Sequence, residues 1–240
     1  MRPFPSPRSL PDFPGYSDRL AQMSRTALQV EYSQLASQYE ERWRGYCDAT
    51  HGRALECCPE SGVGNCLDLG CGTGMLLQRL GARYPAARLF GVDASREMLS
   101  LARRKEIERT CLIEGDLTAL PFSDGGFDLV VSSSVLHFVA DWRKAVAECA
   151  RVVRPGGRVV IADWWGRPWR MWLVDLWLRC VNAAHRSPIP EAELLREITS
   201  QGLVVVRRIR CHAGGPWWVY LLSATKRVGA GLPEGHGLNG

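Results

Sequence analysis

Three aspartates and three glycines carry the first chemical signal in this chain. Leu67-Asp68-Leu69-Gly70-Cys71-Gly72-Thr73-Gly74 reads as a short buried strand that stops in a glycine-rich turn and re-emerges as a helix near Met75. Glycine at alternate positions lets the backbone turn sharply and approach a ligand where any Cβ would obstruct it. The turn is expected to present free backbone N–H groups at a helix N-terminus. A glycine turn alone suits several nucleotides. The dinucleotide fingerprint GxGxxG would need glycine at 75, and that position is Met75. Asp68 precedes the first glycine by two residues, Asp93 ends the next strand, and Asp116 follows the third strand in Glu114-Gly115-Asp116-Leu117. Acids at the ends of three consecutive strands would line one edge of one cleft. Asp93 is placed there to accept hydrogen bonds from both hydroxyls of a ribose.

Two histidines are candidates for proton transfer. His137, in Ser134-Val135-Leu136-His137-Phe138, sits just beyond the fourth strand, and His185 falls in a later, tryptophan-rich region. A structural role is the alternative for each.

The elements that must position these residues alternate. Strands are expected over Cys66–Leu69, Arg88–Val92, Cys111–Glu114, Phe127–Ser132 and Arg158–Ala162, with helices over Met75–Tyr84, Ser95–Ile107 and Asp141–Val153. Short β-branched runs separated by amphipathic helices specify an α/β, Rossmann-like doubly wound sheet, mostly parallel, with helices on both faces. Ligands in such sheets bind at the carboxyl ends of the strands. A helix over Glu191–Ser200 and strands over Leu203–Arg210 and Trp217–Thr225 follow, and Gly214-Gly215-Pro216 between the last two predicts an antiparallel, hairpin-like end. About seven strands result.

Residues 18–58 read as helical, with Val30, Tyr32, Leu35, Ala36, Tyr39 and Trp43 at three- and four-residue steps. Tyr32, Tyr39 and Trp43 form an aromatic stripe that serves either core packing or a segment folded over the mouth of a cofactor site. A helix over residues 168–181 would place Trp165, Trp169 and Trp172 on one face and Leu173, Leu176, Trp177 and Cys180 on another. A buried cap, a lid over a bulky acceptor, and insertion into a membrane interface are the three readings of it.

At 240 residues with 46% hydrophobic content, the chain can bury one sizeable core. A single domain over residues 18–227 is expected, with 18–58 and 164–190 as its cap. Residues 1–17, with prolines at 3, 5, 7, 11 and 14, read as a flexible leader, and the Gly-rich residues 228–240 as a disordered tail. The net charge of +5 is mild and the arginines are scattered, unlike the basic stripe of a duplex-binding protein, so no nucleic-acid partner is expected. Nine cysteines with no CxxC fit small buried hydrophobes in a reducing cytosol, and no ligand pair at zinc-site spacing is present. No run approaches the roughly 18 consecutive apolar residues of a spanning helix, so a cytoplasmic protein is expected.

Leu67–Gly74, Gly91-Val92-Asp93-Ala94-Ser95, Gly115-Asp116, Leu120-Pro121-Phe122, Phe127-Asp128-Leu129-Val130-Val131 and Arg154-Pro155-Gly156-Gly157 together resemble the class I S-adenosylmethionine-dependent methyltransferases. The likeness is greatest to the small-molecule branch that includes the ubiquinone/menaquinone type, and it covers roughly residues 32–226. It implies S-adenosylmethionine as cofactor and S-adenosylhomocysteine as product. Asp68 and Gly70 would contact the methionine amino group, and the backbone of Gly70, Cys71, Gly72, Thr73 and Gly74 would lie along the cofactor. Asp93 would bind the ribose. Ala94 and Met98 would pack on the adenine, with Asp116 and the Leu117 N–H at its edge. Carbonyls at Ser132 and Ser133 would meet the methionine ammonium, and Tyr32 and Tyr39 would close over the site. The acceptor is expected to be small and apolar or aromatic.

Two alternatives stay open. A nucleic-acid or protein methyltransferase is one, although Ser132-Ser133-Ser134-Val135 stands where base-amine methylases carry Asn/Asp-Pro-Pro-Tyr/Phe. A non-catalytic cofactor-binding regulator is the other. Nothing in the sequence sets an oligomeric state.

Overall fold

The computed structural model describes residues 40–166 and 188–228. A helix, α1, occupies residues 40–57. It is followed by β1 (Asn65–Leu69), α2 (Met75–Arg83), β2 (Arg88–Asp93), α3 (Arg96–Arg103), β3 (Thr110–Glu114) and β4 (Phe127–Ser133). A short 3-10 turn (Leu136–Phe138), α4 (Trp142–Val152), β5 (Val153–Trp164), α5 (Glu191–Ser200), β6 (Leu203–His212) and β7 (Trp218–Lys226) complete the order. The expected leader, the helix over 168–181, His185, Tyr32, Tyr39 and all of the tail but Val228 lie outside the described residues.

Seven strands form one sheet in the order β3-β2-β1-β4-β5-β7-β6. β1 to β5 are mutually parallel, whereas β7 runs antiparallel to both β5 and β6. The expected hairpin therefore forms, and its second strand inserts inside its first. Composition accounts for that order. β7 is buried along most of its length, while β6 exposes Arg207, Arg208 and Arg210 and tolerates an edge. The central strands β1 and β4 are buried on both faces, as parallel strands covered by helices require.

The largest departures from the sequence reading are at three boundaries. α3 ends at Arg103 and not at Ile107, because Lys105 and Glu106 bond three residues back and Glu106 and Arg109 take positive φ. β5 begins at Val153, directly after α4, and bulges through Arg154-Pro155-Gly156-Gly157 before it pairs again at Arg158. It also runs on to Trp164, so Trp164, expected to open the cap, ends a strand.

Side-chain caps start two of the helices: Ser95 accepts from the Met98 N–H at 3.2 Å, and Asp141 from the Lys144 N–H at 3.1 Å. Ala54 and Cys57 of α1 and Cys58 just after it join Leu76, Leu77 and Leu80 of α2 in the core on one face of the sheet. Six cysteines are buried as expected, but Cys111 is exposed on the edge strand β3. Among the described residues no helix is long and apolar enough to cross a membrane, and no cluster of metal-ligating side chains occurs.

α1 is tied to the elements around the glycine turn by Glu40–Lys105 (2.5 Å) and by Asp48–Arg79, and it buries His51. Burial, reinforced by the Arg79 guanidinium, pushes the His51 imidazole down to about 4. Neutral His51 thus contributes stability that is full above about pH 6.5 and is lost as pH falls toward about 4, in all about 3 kcal/mol. Urea unfolding at about pH 7.5 and about pH 5 should show part of this loss in the native chain and a flatter dependence in His51→Gln. An unchanged slope in the variant would remove His51 from the account.

Candidate active site

The carboxyl ends of β1, β2 and β4 meet at one edge of the sheet, and the glycine turn lies there. Gly70, Gly72 and Gly74 all have positive φ, at 68°, 52° and 80°. A Cβ on Gly70 would fall 2.3 Å from a Val135 methyl, so the turn and the loop after β4 are in direct contact. Four of the turn amides are already bonded, while α2 starts without a side-chain cap. Gly70 and Cys71 donate to the Val92 carbonyl at 2.7 and 3.1 Å, Gly72 to an Asp93 carboxylate oxygen at 2.8 Å, and Gly74 to the Cys71 carbonyl at 2.9 Å. The glycines bring the backbone close; they do not supply donors. Thr73 is buried, and the Glu40 carboxylate of α1 is hydrogen-bonded to it.

Asp93 ties the turn to the next helix, since its other oxygen accepts from the Ser95 N–H at 2.8 Å. Each carboxylate oxygen has two lone pairs, so both can accept a further hydroxyl. Burial holds the Asp93 carboxyl above its ordinary range even with these bonds. Asp68 is buried deeper, at 2% exposure, and its Oδ2 has no partner. Burial and then the nearby Asp93 charge push its carboxyl well above the usual range. Asp116 binds both the N–H and the hydroxyl of Thr118, at 2.9 and 2.8 Å, and so caps its own turn. Ala94, next to Asp93 in the chain, is exposed, while Leu117 and Met98 are buried in the protein.

The end of β4 carries a second group of unsatisfied atoms. The hydroxyls of Ser132 and Ser133 are buried without partners. Ser134 then takes φ of 59°, and its N–H donates to the Ala162 carbonyl at 2.8 Å. Its hydroxyl lies 2.5 Å from that of Tyr46 on α1. His137 follows, with a fully enclosed side chain. Its Nδ1 bonds one oxygen of Asp163, and its backbone N–H donates to the other at 3.1 Å. Its ring stacks on Trp164 with centroids 4.0 Å apart. Nε2 is buried and has no partner. Trp164 in turn packs on Trp217 (4.9 Å), and Trp217 on Trp43 (5.3 Å) and Tyr46 (5.9 Å).

The structure therefore brings Asp68, Asp93, the glycine turn, Ser132, Ser133 and His137 to one edge. Asp163, Tyr46 and Trp217 were missed in the sequence. Asp163 had a usable signal, because an acid ending the buried run Val159–Ala162 matches the pattern of Asp93 at the end of β2.

Residues 67–161 match the sequence pattern of a methyltransferase domain. This chain carries a methyltransferase domain. It is 39% identical over 125 residues to the demethylmenaquinone methyltransferase of Thermus thermophilus, covering 51% of this chain and 54% of the relative. It is 37% identical over 169 residues to the malonyl-[acyl-carrier protein] O-methyltransferase of Methylococcus capsulatus, covering 68% and 61%. The chain thus spans less than two thirds of the length of either curated relative. The fold is also that of the N-methyltransferase NodS from Bradyrhizobium japonicum WM9, solved with S-adenosyl-L-homocysteine, at a TM-score of 0.61 and 21% identity over 75% of this chain and 87% of that one.

An unpaired carboxyl inside a methyltransferase domain costs stability, and the sign is testable. The Asp68 penalty is absent below about pH 4, where the group is protonated folded or unfolded, and grows as pH rises from there to its raised folded value. Asp68→Asn is expected to raise the melting temperature of the ligand-free protein by a few degrees at pH 7 and by less near pH 4. A lower melting temperature at pH 7 would mean the carboxylate is already well paired.

Proposed function

We propose that the protein is an S-adenosylmethionine-dependent methyltransferase acting on a small, apolar or aromatic acceptor. The observation that carries this reading is the concentration of unsatisfied buried groups at one edge: Asp68 Oδ2, the Ser132 and Ser133 hydroxyls and His137 Nε2. Such groups are costly to bury alone, and a ligand that pairs them would offset the cost. The first three suit the ammonium end of a methionine chain, and Asp93, at the end of β2, suits a ribose. Ala94, Met98, Asp116 and Leu117 would surround the base. The glycine turn lets that ligand lie against the backbone.

When bound, S-adenosylmethionine supplies a methyl group already made electrophilic by its sulfonium. The protein's task is then to hold an acceptor lone pair in line with the S–CH₃ bond. A base is needed when the acceptor must lose a proton. Bonding of Nδ1–H to Asp163 would select the tautomer whose lone pair is on Nε2. Nε2 would take the acceptor's proton, and Asp163 would stabilise the imidazolium so formed. The relatives are named for different acceptors, demethylmenaquinone and a malonyl carrier protein. The wall formed by Trp164, Trp217, Tyr46 and Trp43 favours a flat, apolar one.

Two variants separate binding from chemistry. Asp93→Ala is expected to weaken S-adenosylhomocysteine binding by about two orders of magnitude in calorimetry, from the loss of charge-assisted hydrogen bonds; near-normal affinity would sink the cofactor assignment. His137→Ala is expected to bind S-adenosylhomocysteine almost normally yet turn over a phenolic or enolic acceptor about 10²–10⁴-fold more slowly. Unchanged turnover would end the base role.

A further inference from the structure

Tyr46 reaches from α1 to both halves of the edge just described. Its ring is half-buried, and its hydroxyl meets the Ser134 hydroxyl at 2.5 Å and the Trp164 indole Nε1 at 2.9 Å. An indole N–H can only donate, so the tyrosine oxygen accepts from Trp164, while in the Tyr46–Ser134 pair either hydroxyl can donate. Burial pushes the phenol above its ordinary range, so Tyr46 keeps its proton.

Both partners sit at consequential points. Ser134 is in the left-handed region, which a serine rarely adopts without outside support. The residues before it are Ser132 and Ser133, and the residue after it, Val135, presses on Gly70 of the glycine turn. Trp164 stacks on His137. One hydroxyl thus links the loop against the cofactor turn to the ring that backs the histidine.

We propose that Tyr46 is a positioning residue: its hydroxyl pins Ser134 in the left-handed conformation and so sets the cofactor loop and the His137–Trp164 stack relative to one another. The inference rests on the reading of this edge as the cofactor and acceptor site, but its geometry can be tested without any ligand.

Hydrogen–deuterium exchange on the ligand-free protein is the first test. In Tyr46→Phe, which keeps the ring packing, the amides of residues 134–136 are expected to exchange about tenfold faster, while the β1 and β5 amides keep native protection. S-adenosylhomocysteine affinity, read by calorimetry, is expected to fall about three- to tenfold, and kcat to fall further than affinity. Ser134→Gly, which adopts positive φ without strain, supplies the rescue. Tyr46→Phe placed in the Ser134→Gly background should lower affinity less than twofold. Native exchange at 134–136 in Tyr46→Phe would overturn the proposal, and so would equal losses in the two backgrounds. Absence of S-adenosylhomocysteine binding by the native chain would overturn the cofactor reading alone, leaving the exchange result to decide the role of Tyr46.

Discussion

Polar groups without partners at the carboxyl edge of a parallel sheet are the constraint on which the rest of this structure turns. The strands β1, β2 and β4 bury both faces, so their ends are the first places where polar side chains can stand. Asp68 and Asp93 stand there, and burial holds both carboxyls above their ordinary range. Burying these carboxyls costs stability, and a charged, hydroxyl-bearing ligand at this edge would offset that cost.

Everything around that edge stabilises it from outside. Asp93 closes the glycine turn through Gly72, and Val135 fills the space that a side chain at position 70 would need. α1 adds the Glu40, Asp48 and Tyr46 contacts from one side. β7 enters between β5 and β6, which carries Trp217, just ahead of it, to the end of β5, where it meets Trp164. The aromatic wall is a consequence of that strand order.

Most of the frame was legible in the sequence because it is local. The run Leu67–Gly74 states strand, turn and helix in eight letters, and Asp93 announces the end of its strand. The pairings across the fold were not legible. His137 and Asp163 are 26 residues apart, and Tyr46 and Ser134 are 88 apart; no periodicity joins them. Trp164 was read with the tryptophans that follow it, because apolar aromatic runs suit a strand end and a cap helix equally. The bonding of the glycine turn was not legible for a related reason. A turn shows its glycines in the sequence, but not which of its amides the neighbouring strand has already taken.

The most direct measurement of the account is a crystal structure with S-adenosylhomocysteine. The account predicts the methionine amino group within hydrogen-bond distance of Asp68 or of the Ser132–Ser133 segment, the ribose hydroxyls on Asp93, and the sulfur facing the side of the cleft that holds His137 and Trp164. A ligand bound elsewhere, or one that leaves Asp68 and Asp93 without a new partner, would contradict it.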